Sequence, residues 1–360
     1  MSSLEAMRAV LDLSRWAPSG DNTQPWRFEI IGPHEVVVHG HDTRDHCVYD
    51  LQGEASQVSL GALLETMSIA ASTQGWTMGA TRRVGMPEHQ PTFDIHFTPG
   101  SIEPSPLAGS ITVRSVQRRP MGTQRLTPQQ KAELVQSVGE QFNVEWLEDL
   151  GARWRTAWLM FHNAKLRLTM PEAYEVHRSI IEWNASQSID RVPDRALGVD
   201  AMTLKMMRFA MASWERVQFF NRFLAGSLAP RLQMDFLPSL ACGAHLIIKA
   251  KRAPDGIDDF VAAGRAVQRF WLTATKLGLW QQPEMTPLIF SRYARQGVRF
   301  SEQASSIELA RQLSKTVTEL VGPAAETAVW MGRLGTGSAP ECRSVRRPLD
   351  SLMFSTPDSD

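Results

Sequence analysis

Hydrogen-bonding side chains are concentrated in one loop near the start of the chain, between Arg15 and Trp26. Its sequence is RWAPSGDNTQPW. Two prolines restrict the backbone, and Ser19, Asn22 and Gln24 offer both donors and acceptors. Such a loop suits recognition of the polar edge of a heteroaromatic ring. A turn in which these side chains satisfy only their own backbone is the alternative interpretation.

Three arginines later in the chain could bind a phosphate group. Arg114, Arg118 and Arg119 lie close together in the sequence RSVQRR. Guanidinium groups stay charged and bind phosphate oxygens in pairs, so they would form a clamp. We expect the segment to lead into a helix that begins at Thr127 and Pro128, an N-cap followed by proline. A solvated basic loop is the alternative interpretation.

Other chemistry-bearing patterns lack parts that their sites require. The sequence GRLGTG at 332–337 lacks the third glycine of a dinucleotide-binding loop, so we do not expect that fold. His39 and His41 share a strand face beside Asp42, but no fourth ligand is evident, so no metal is expected. The chain has no GxSxG, HExxH or P-loop pattern, and we nominate no catalytic side chain.

The composition is that of an ordinary globular protein. The chain has 360 residues, of which 43% are hydrophobic and 21% charged, a length that suits two domains or one large one. With 38 basic and 38 acidic residues the net charge is zero, so no nucleic-acid partner is expected. Three distant cysteines argue against a disulfide scaffold. The start lacks a secretory-signal pattern and no apolar stretch suits a membrane span, so we expect no membrane association and a cytoplasmic location.

Hydrophobic periodicity predicts a protein of mixed helices and strands. The predicted helices cover 4–13, 55–73, 127–138 and 258–276, and the predicted strands cover 26–31, 35–39, 92–97, 245–250 and 327–333. Helix 258–276 is apolar nearly all round, which predicts burial between layers. The sequence GSIEPSPLAG at 100–109 is the best linker candidate. Region 151–226 has mainly helical patterning and is rich in Trp and Met.

The two long predicted helices echo each other at an offset of 203 residues. Similar residues coincide in three places, where Ile69, Ala71 and Gly75 fall on Leu272, Ala274 and Gly278. An apolar strand also precedes each helix. Two matched elements in the same order suggest two related halves, joined at about 100–110.

The loop between residues 15 and 26 resembles the APSxxNxQPW motif of the nitroreductase-like flavoprotein superfamily. The order of the elements around it also fits that family. The resemblance implies that FMN is the cofactor and that Pro18, Ser19, Gly20, Asn22 and Gln24 contact the pyrimidine edge of its isoalloxazine ring.

The arginine segment is similar to the RRSxRxF opening of the same family. The resemblance implies that Arg114 and Arg118 hold the FMN phosphate or ribityl chain. Val116 replaces the serine of the motif, so Ser115 or Gln117 would have to supply the missing contact.

Two further segments match the family more loosely. The loop after the buried helix implies that Pro283, Met285 and Thr286 pack near N5 of the flavin. The basic tail implies one more phosphate contact, for which we select Arg343; Arg346 and Arg347 are the alternatives within the tail.

In most family members the arginine motif precedes the APS loop, whereas here it follows. The order resembles the single-chain, doubled Acg-type branch, which binds one FMN. The implied fold is α+β and nitroreductase-like, with a mixed or antiparallel central sheet flanked by helices and two family-like halves fused as a pseudo-dimer. The first half covers 1–105 and the second 106–360, with a helical insertion at about 184–226.

The resemblance implies an FMN-dependent oxidoreductase. It would pass a hydride from NAD(P)H through flavin N5 to a small organic acceptor: a nitroaromatic, a quinone or a specialised metabolite. The alternative is an FMN-binding or storage protein with little turnover, in which part of 184–226 forms a lid. A third possibility is an oxidation or ring rearrangement of one dedicated substrate. The protein would be a monomeric pseudo-dimer or a homodimer.

Overall fold

The computed structural model describes residues 2–322 and 324–355 of the chain. The first helix begins with a capping box between Ser2 and Glu5. The first group of elements is α1 (Ser3–Ser14), β1 (Trp26–Gly32), β2 (Glu35–Gly40), α2 (Glu54–Ser72), β3 (Trp76–Arg82) and β4 (Thr92–Pro99). The four strands form one antiparallel sheet in the order β1-β2-β4-β3.

The rest of the chain builds a second four-stranded sheet, which begins with α3 (Pro128–Val138) and β5 (Phe142–Leu147). A long, mainly helical excursion at 148–243 then separates β5 from the next strand of the sheet. Its elements are α4 (Leu150–Thr169), α5 (Pro171–Ile180), β6 (Ile181–Glu182), β7 (Gln187–Ser188), β8 (Val192–Pro193), α6 (Ala201–Ala210), α7 (Trp214–Phe223), α8 (Leu228–Pro230) and α9 (Leu237–Leu240). The remaining elements are β9 (Ala244–Ala250), α10 (Ile257–Lys276), β10 (Trp280–Pro283), α11 (Thr286–Gln296), α12 (Ala304–Val321), β11 (Ala328–Gly335) and β12 (Arg343–Ser344).

The two large sheets share one topology. The second sheet is antiparallel throughout, in the order β5-β9-β11-β10. Counted along the chain, the second and third strands of each sheet are joined by a long helix, α2 or α10. The fourth strand along the chain lies between these two strands in the sheet. A helix also precedes the first strand of each, α1 and α3. The predicted α+β class is therefore confirmed, but two separate four-stranded sheets replace the expected central sheet. Parallel pairing occurs in two-residue strands, β6 with β8 and β7 with β12.

Helices α2 and α10 cross at a pair of facing glycines. A Cβ on Gly61 would lie 2.0 Å from the carbonyl oxygen of Val261, and a Cβ on Gly264 would lie 2.0 Å from that of Val58. Both pairs of equivalent residues are separated by 203 positions, the offset that the sequence suggests. The contact is therefore reciprocal, as at a two-fold interface, and it brings two backbones together where no side chain fits.

Hydrophobic clusters cover both sheets. The first sheet packs against α1 and α2, and the second packs against α3 and α10 on one face and α4, α11 and α12 on the other. Every residue of β11 is buried, because helices cover both faces of this inner strand. The two long helices therefore lie between the sheets.

Sequence patterning places the predicted elements to within two residues, but it misses three strands of the two large sheets. These are β3, β5 and β10, which all lie at sheet edges, as does the correctly predicted β1. β3 and β5 consist mainly of partly or fully exposed residues, and β10 has only four residues, so none of the three shows a clear alternation of polar and apolar residues.

Three expectations about the second half need correction. α10 is not apolar all round, because Arg265 and Arg269 both form ion pairs with Glu65 at 2.9 Å. The arginine segment does not lead directly into a helix; an irregular stretch separates it from α3. The expected helical insertion at 184–226 is helical mainly from Ala201 onward.

None of the helices in the described ranges combines the length and hydrophobicity that a bilayer crossing requires.

The glycine pair should be essential for folding. Gly61→Ala places a methyl group 2.0 Å from the carbonyl oxygen of Val261, much closer than van der Waals contact. We therefore expect a loss of at least about 1–3 kcal/mol in the free energy of unfolding. Gly109→Ala is the control, because its added methyl meets nothing within 4 Å. Urea unfolding followed by circular dichroism measures both. Equal midpoints for the two variants would contradict the close crossing.

Candidate functional site

A cavity of about 410 Å³ lies at the junction of the two groups of elements. Its volume is in the range of small-molecule sites. Most of the side chains named from the sequence line it: Pro18, Ser19, Gly20, Asn22, Arg114, Ser115, Arg118, Pro283, Met285, Thr286 and Arg343. Gln24 and Gln117 are buried beside the cavity but do not line it.

The loop between α1 and β1 has an unusual backbone. Asp21, Asn22 and Gln24 all have positive φ angles, of 50°, 66° and 52°. This left-handed conformation is uncommon for residues other than glycine, although Asn and Asp adopt it more readily than most. It persists only where surrounding contacts enforce it.

Those contacts come from segments far along the chain. The Asn22 amide nitrogen donates to the carbonyl oxygen of Val345 at 3.1 Å and to that of Arg191 at 3.3 Å. The Gln24 amide nitrogen donates to the carbonyl oxygen of Ile189 at 2.8 Å, and its oxygen accepts from the backbone N–H of Arg347 at 3.0 Å. The loop is therefore fixed from outside.

Gln117 makes equivalent supporting contacts in the arginine segment. Its side-chain nitrogen donates to the carbonyl oxygen of Ser338 at 3.0 Å, and its oxygen accepts from the N–H of Arg119 at 3.1 Å. Its backbone N–H donates to the carbonyl oxygen of Gln281 at 3.0 Å. It thus joins the segment to β10 and to the tail.

Of the expected arginine clamp, Arg114 lies in a cluster at the cavity wall, whereas Arg118 lies near Asp21 and Arg119 is exposed. The other members of the cluster are Arg343 and Arg346, and the three have no acidic partner among the described residues. Arg114 and Arg346 are 4% and 8% exposed, and Arg343 lies beside them. Burial, followed by repulsion from Arg346 and Arg343, lowers the pKa of the Arg114 guanidinium well below its usual range. Burial and then Arg343 and Arg15 likewise lower the pKa of Arg346. No carboxylate offsets these effects within the described residues, so the charges remain uncompensated.

The protein contacts of these arginines leave donors available. Arg114 Nη2 donates to the carbonyl oxygen of Trp16 at 2.9 Å, and Arg343 Nη2 donates to that of Thr112 at 2.9 Å. The buried Nε atoms of Arg114 and Arg343 have no acceptor in the protein. Buried cations need an anion or hydrogen-bond acceptors, so this cluster, which we call the arginine cluster, suits a phosphate dianion.

A second set of polar side chains lines the cavity elsewhere. Arg167 forms an ion pair with Asp235 at 2.7 Å, and Tyr49 is hydrogen-bonded to His177 at 2.9 Å. Burial and then Arg167 lower the pKa of His177 to about 3, so its imidazole is neutral at pH 7. Burial raises the pKa of Asp21, although Arg118 and Arg167 oppose this effect.

Sequence reasoning missed this second set. Tyr49, Arg167, His177 and Asp235 come from four separate segments and form no local motif. No pattern in one sequence would have selected them.

A buried charge network reaches the cavity wall through Glu284 and Arg333, with His245 behind them. His245 Nδ1 is 2.7 Å from Glu284, whose other oxygen is 3.1 Å from Arg333. Both side chains of the first pair are fully buried. Burial opposes protonation of His245, but the Glu284 carboxylate outweighs it and raises the pKa of His245 to about 10.

The residues expected near flavin N5 form the adjoining wall. Pro283 ends β10 and is paired with Gly332. The Met285 sulfur accepts from the N–H of Met331 at 3.4 Å, and the Thr286 hydroxyl accepts from Asn163 at 2.6 Å. These contacts hold the three residues in place at the cavity wall.

Only a small part of the segment at 184–226, the candidate lid, faces the cavity. Met207 and Met211 line the cavity, whereas Met202, Phe219 and Phe223 are 68%, 54% and 63% exposed on the outside. No group of three potential metal ligands occurs within residues 2–322 and 324–355.

The His245 pair should make stability depend on alkaline pH. The pKa of His245 is about 10 in the folded protein, above the usual 6.5. The stabilisation that protonated His245 contributes is therefore complete below pH 6.5 and is lost as the pH rises towards 10. We expect the free energy of unfolding to fall by up to about 1.4 kcal/mol per pH unit in that range. His245→Gln should reduce this slope, and the exposed His89→Gln should leave it unchanged. Urea titrations from pH 6 to 10 measure it; identical slopes would contradict a charged His245.

No family model matches the sequence, and no curated protein matches it. Solved structures that match part of this chain include a nitroreductase-like family protein from Bacillus cereus, which is 13% identical, has a TM-score of 0.35, and is matched over 70% of this chain and 96% of that chain. Another is the FMN-dependent nitroreductase NfnB from Mycobacterium smegmatis in complex with NADPH, which is 11% identical, has a TM-score of 0.34, and is matched over 69% of this chain and 96% of that chain.

Proposed function

We propose that this chain is an FMN-dependent oxidoreductase of the nitroreductase-like kind. The observation that carries the proposal is the cavity itself, in which a constrained polar loop and an uncompensated arginine cluster face one space. FMN combines a polar ring with a phosphate that carries nearly two negative charges at neutral pH. The donor set and the cavity volume therefore fit this cofactor.

In this proposal the arginine cluster holds the phosphate. Arg114 and Arg343 offer their unpartnered Nε atoms, and Arg346 adds a third positive charge. Ser115, which lines the same wall, adds a hydroxyl. Charge-assisted hydrogen bonds of this type are roughly twice as strong as neutral ones.

The loop of Pro18–Asn22 would hold the ring. Its prolines and left-handed residues fix backbone N–H and carbonyl groups at the cavity wall, and the Asn22 side-chain oxygen is buried without a partner. Gln24 and Gln117 act as positioning residues, because protein groups use their hydrogen-bonding capacity. Arg118 provides a cation beside this loop.

When bound, FMN supplies the centre that accepts and donates a hydride. The chain's own residues would orient the ring, exclude water and bind the acceptor. We propose NAD(P)H as the electron donor, a small organic acceptor, and a cytoplasmic location. Pro283, Met285 and Thr286 form the wall that would face the reacting edge.

We also propose that the chain is a fused pseudo-dimer of the Acg-type arrangement, with halves at 1–105 and 106–360. The shared sheet topology and the reciprocal Gly61–Gly264 contact support this proposal. Only one complete site is expected, because the APS loop occurs once and the arginine segment occurs once. A single chain would then suffice for activity, and a homodimer would not be required.

Flavin binding is the first test of the function. The purified protein should be yellow and should release FMN, not FAD, on heating. A colourless protein that gains no flavin spectrum from added FMN would contradict the assignment.

The arginine assignment has a separate test with a matched control. Each charge-assisted contact contributes about 1.5–3 kcal/mol, so Arg114→Ala with Arg343→Ala should weaken FMN binding by at least about a hundredfold. Arg119→Ala, an exposed arginine of the same segment, should bind FMN as the wild type does. Quenching of FMN fluorescence measures the affinities. Unchanged affinity in the double variant would exclude the arginine cluster as the phosphate site.

An FMN-storage protein is the second candidate, favoured by Met207 and Met211, which cover the cavity from the excursion. Stopped-flow mixing with NADPH distinguishes the two. Rapid bleaching of the flavin supports the oxidoreductase, and no bleaching within minutes supports storage.

A further inference from the structure

Exposed apolar side chains are concentrated on two short helices of the excursion, α6 and α7. Each of these helices has ten residues. Among the described residues, five of the twenty large apolar side chains that are exposed belong to them: Met202, Met206, Phe209, Phe219 and Phe223. We call these five the α6–α7 patch. Single exposed apolar residues are normal, whereas a contiguous group marks a surface that binds another molecule.

The patch occupies one side of each helix. On α6 its members are spaced by four and three residues, and on α7 by four, so each set shares a helix face. The opposite side of α6 faces inward, where Met207 lines the cavity. α7 has no buried residue, although five of its ten residues are apolar. The packing of the fold therefore does not account for the apolar residues of α7.

Aromatic contacts make the patch continuous across the two helices. The ring of Phe209 on α6 lies 6.0 Å from that of Phe220 on α7, measured between ring centroids. Phe220 in turn contacts Phe219 at 6.2 Å, and Phe219 contacts Phe223 at 5.2 Å. The exposed faces of α6 and α7 thus form one surface.

The charged side chains of these helices are mostly basic. Four basic residues are exposed, two on each helix: Lys205, Arg208, Arg216 and Arg222. Glu215 is the only acidic residue in the sequence of either helix. The surface around the patch therefore carries a net positive charge, in a chain whose total charge is zero.

Two of these cations lie against the rings of the patch. The Arg216 guanidinium is 4.6 Å from the centre of the Phe209 ring, and the Arg222 guanidinium is 5.4 Å from that of Phe223. Helices that lie in a membrane interface combine the same two features. Their apolar side chains enter the acyl boundary, while their basic side chains stay at the level of the lipid headgroups.

We infer that the α6–α7 patch docks on the surface of an anionic lipid membrane. The rings would insert between the headgroups, and the basic side chains would bind the lipid phosphates. Surface docking needs no spanning helix, and none occurs in the described ranges. If the inference is correct, the expectation of no membrane association is wrong for surface binding.

A second copy of the chain fits the patch less well than a membrane. A two-fold interface brings the same surface of two copies together. The four basic side chains of one copy would then face the same four of the other, and their repulsion would oppose association. An anionic bilayer offers apolar depth and compensates the same charges.

Docking would bring the membrane close to the cavity. α6 contributes Met202 and Met206 to the patch and Met207 to the cavity wall. The helix would therefore lie between the lipid surface and the candidate site. The inference does not depend on the proposed function, because none of its observations involves a flavin.

Co-sedimentation of the full chain with lipid vesicles tests the inference. The probes are vesicles of phosphatidylcholine alone and vesicles of phosphatidylcholine and phosphatidylglycerol in equal amounts. Each basic residue near an anionic surface strengthens binding about fivefold, so the anionic vesicles should be bound at least about tenfold more tightly. Added sodium chloride should weaken this binding, because salt screens the charges.

Two double variants separate the apolar and the charged contributions. Phe219→Ser with Phe223→Ser should weaken binding to the anionic vesicles at least about tenfold, because the inserted apolar area is lost. Lys205→Glu with Arg222→Glu should abolish the preference for anionic over uncharged vesicles. If the first variant fails to fold, the second decides.

Matched controls carry the same changes outside the patch. Val84→Ser with Met86→Ser replaces two exposed apolar residues between β3 and β4. Arg125→Glu with Lys251→Glu changes the net charge equally at two other exposed positions. Both controls should keep the affinity order of the wild type. Circular dichroism checks that each variant is folded.

The outcomes decide between a membrane and other occupants. Weaker vesicle binding by the patch variants than by their controls would support the inference. Lack of binding to anionic vesicles by the wild type would overturn it, as would equal binding by patch variants and controls. Light scattering would also overturn it if the wild type forms a dimer that Phe219→Ser with Phe223→Ser abolishes, because a second copy would then cover the patch.

Discussion

The close crossing of α2 and α10 is the constraint on which the rest of the structure depends. At Gly61 and Gly264 two backbones touch, so the helices approach more closely than side chains would otherwise allow. Residues one turn from each glycine, Val58 on α2 and Val267 on α10, line the cavity. The crossing that joins the two sheets thus also forms part of the cavity wall. A change that separates the helices would alter the stability of the fold and the shape of the cavity together.

The distribution of charge follows two different rules in this molecule. In the buried network, His245, Glu284 and Arg333 compensate each other through short contacts. At the arginine cluster, by contrast, Arg114 and Arg346 repel each other without a carboxylate. A chain with no net charge could have balanced this cluster as well. Its imbalance lowers the stability of the isolated protein and reserves binding free energy for an anion.

The sequence predicts the elements and the motif-bearing loop well, because those signals are local. Capping residues, periodic apolar positions and the prolines around Ser19 act within a few residues of each other. The supports of the loop are not local: Asn22 bonds to residues 169 and 323 positions away. The sequence therefore indicates that Asn22 and Gln24 are polar and constrained, but not that Gln24 faces away from the cavity. The Tyr49–His177 pair escapes prediction for the same reason, because its two residues are 128 positions apart.

The dependence of the loop on Val345 and Arg347 has a consequence for how the protein matures in the cell. A chain leaves the ribosome from its N-terminus, and domains fold in that order. The first sheet can form early, but the loop between α1 and β1 lacks two of its supports until Val345 and Arg347 have emerged. The loop therefore reaches its final conformation only after this part of the polypeptide has been synthesised, late in the folding of the chain.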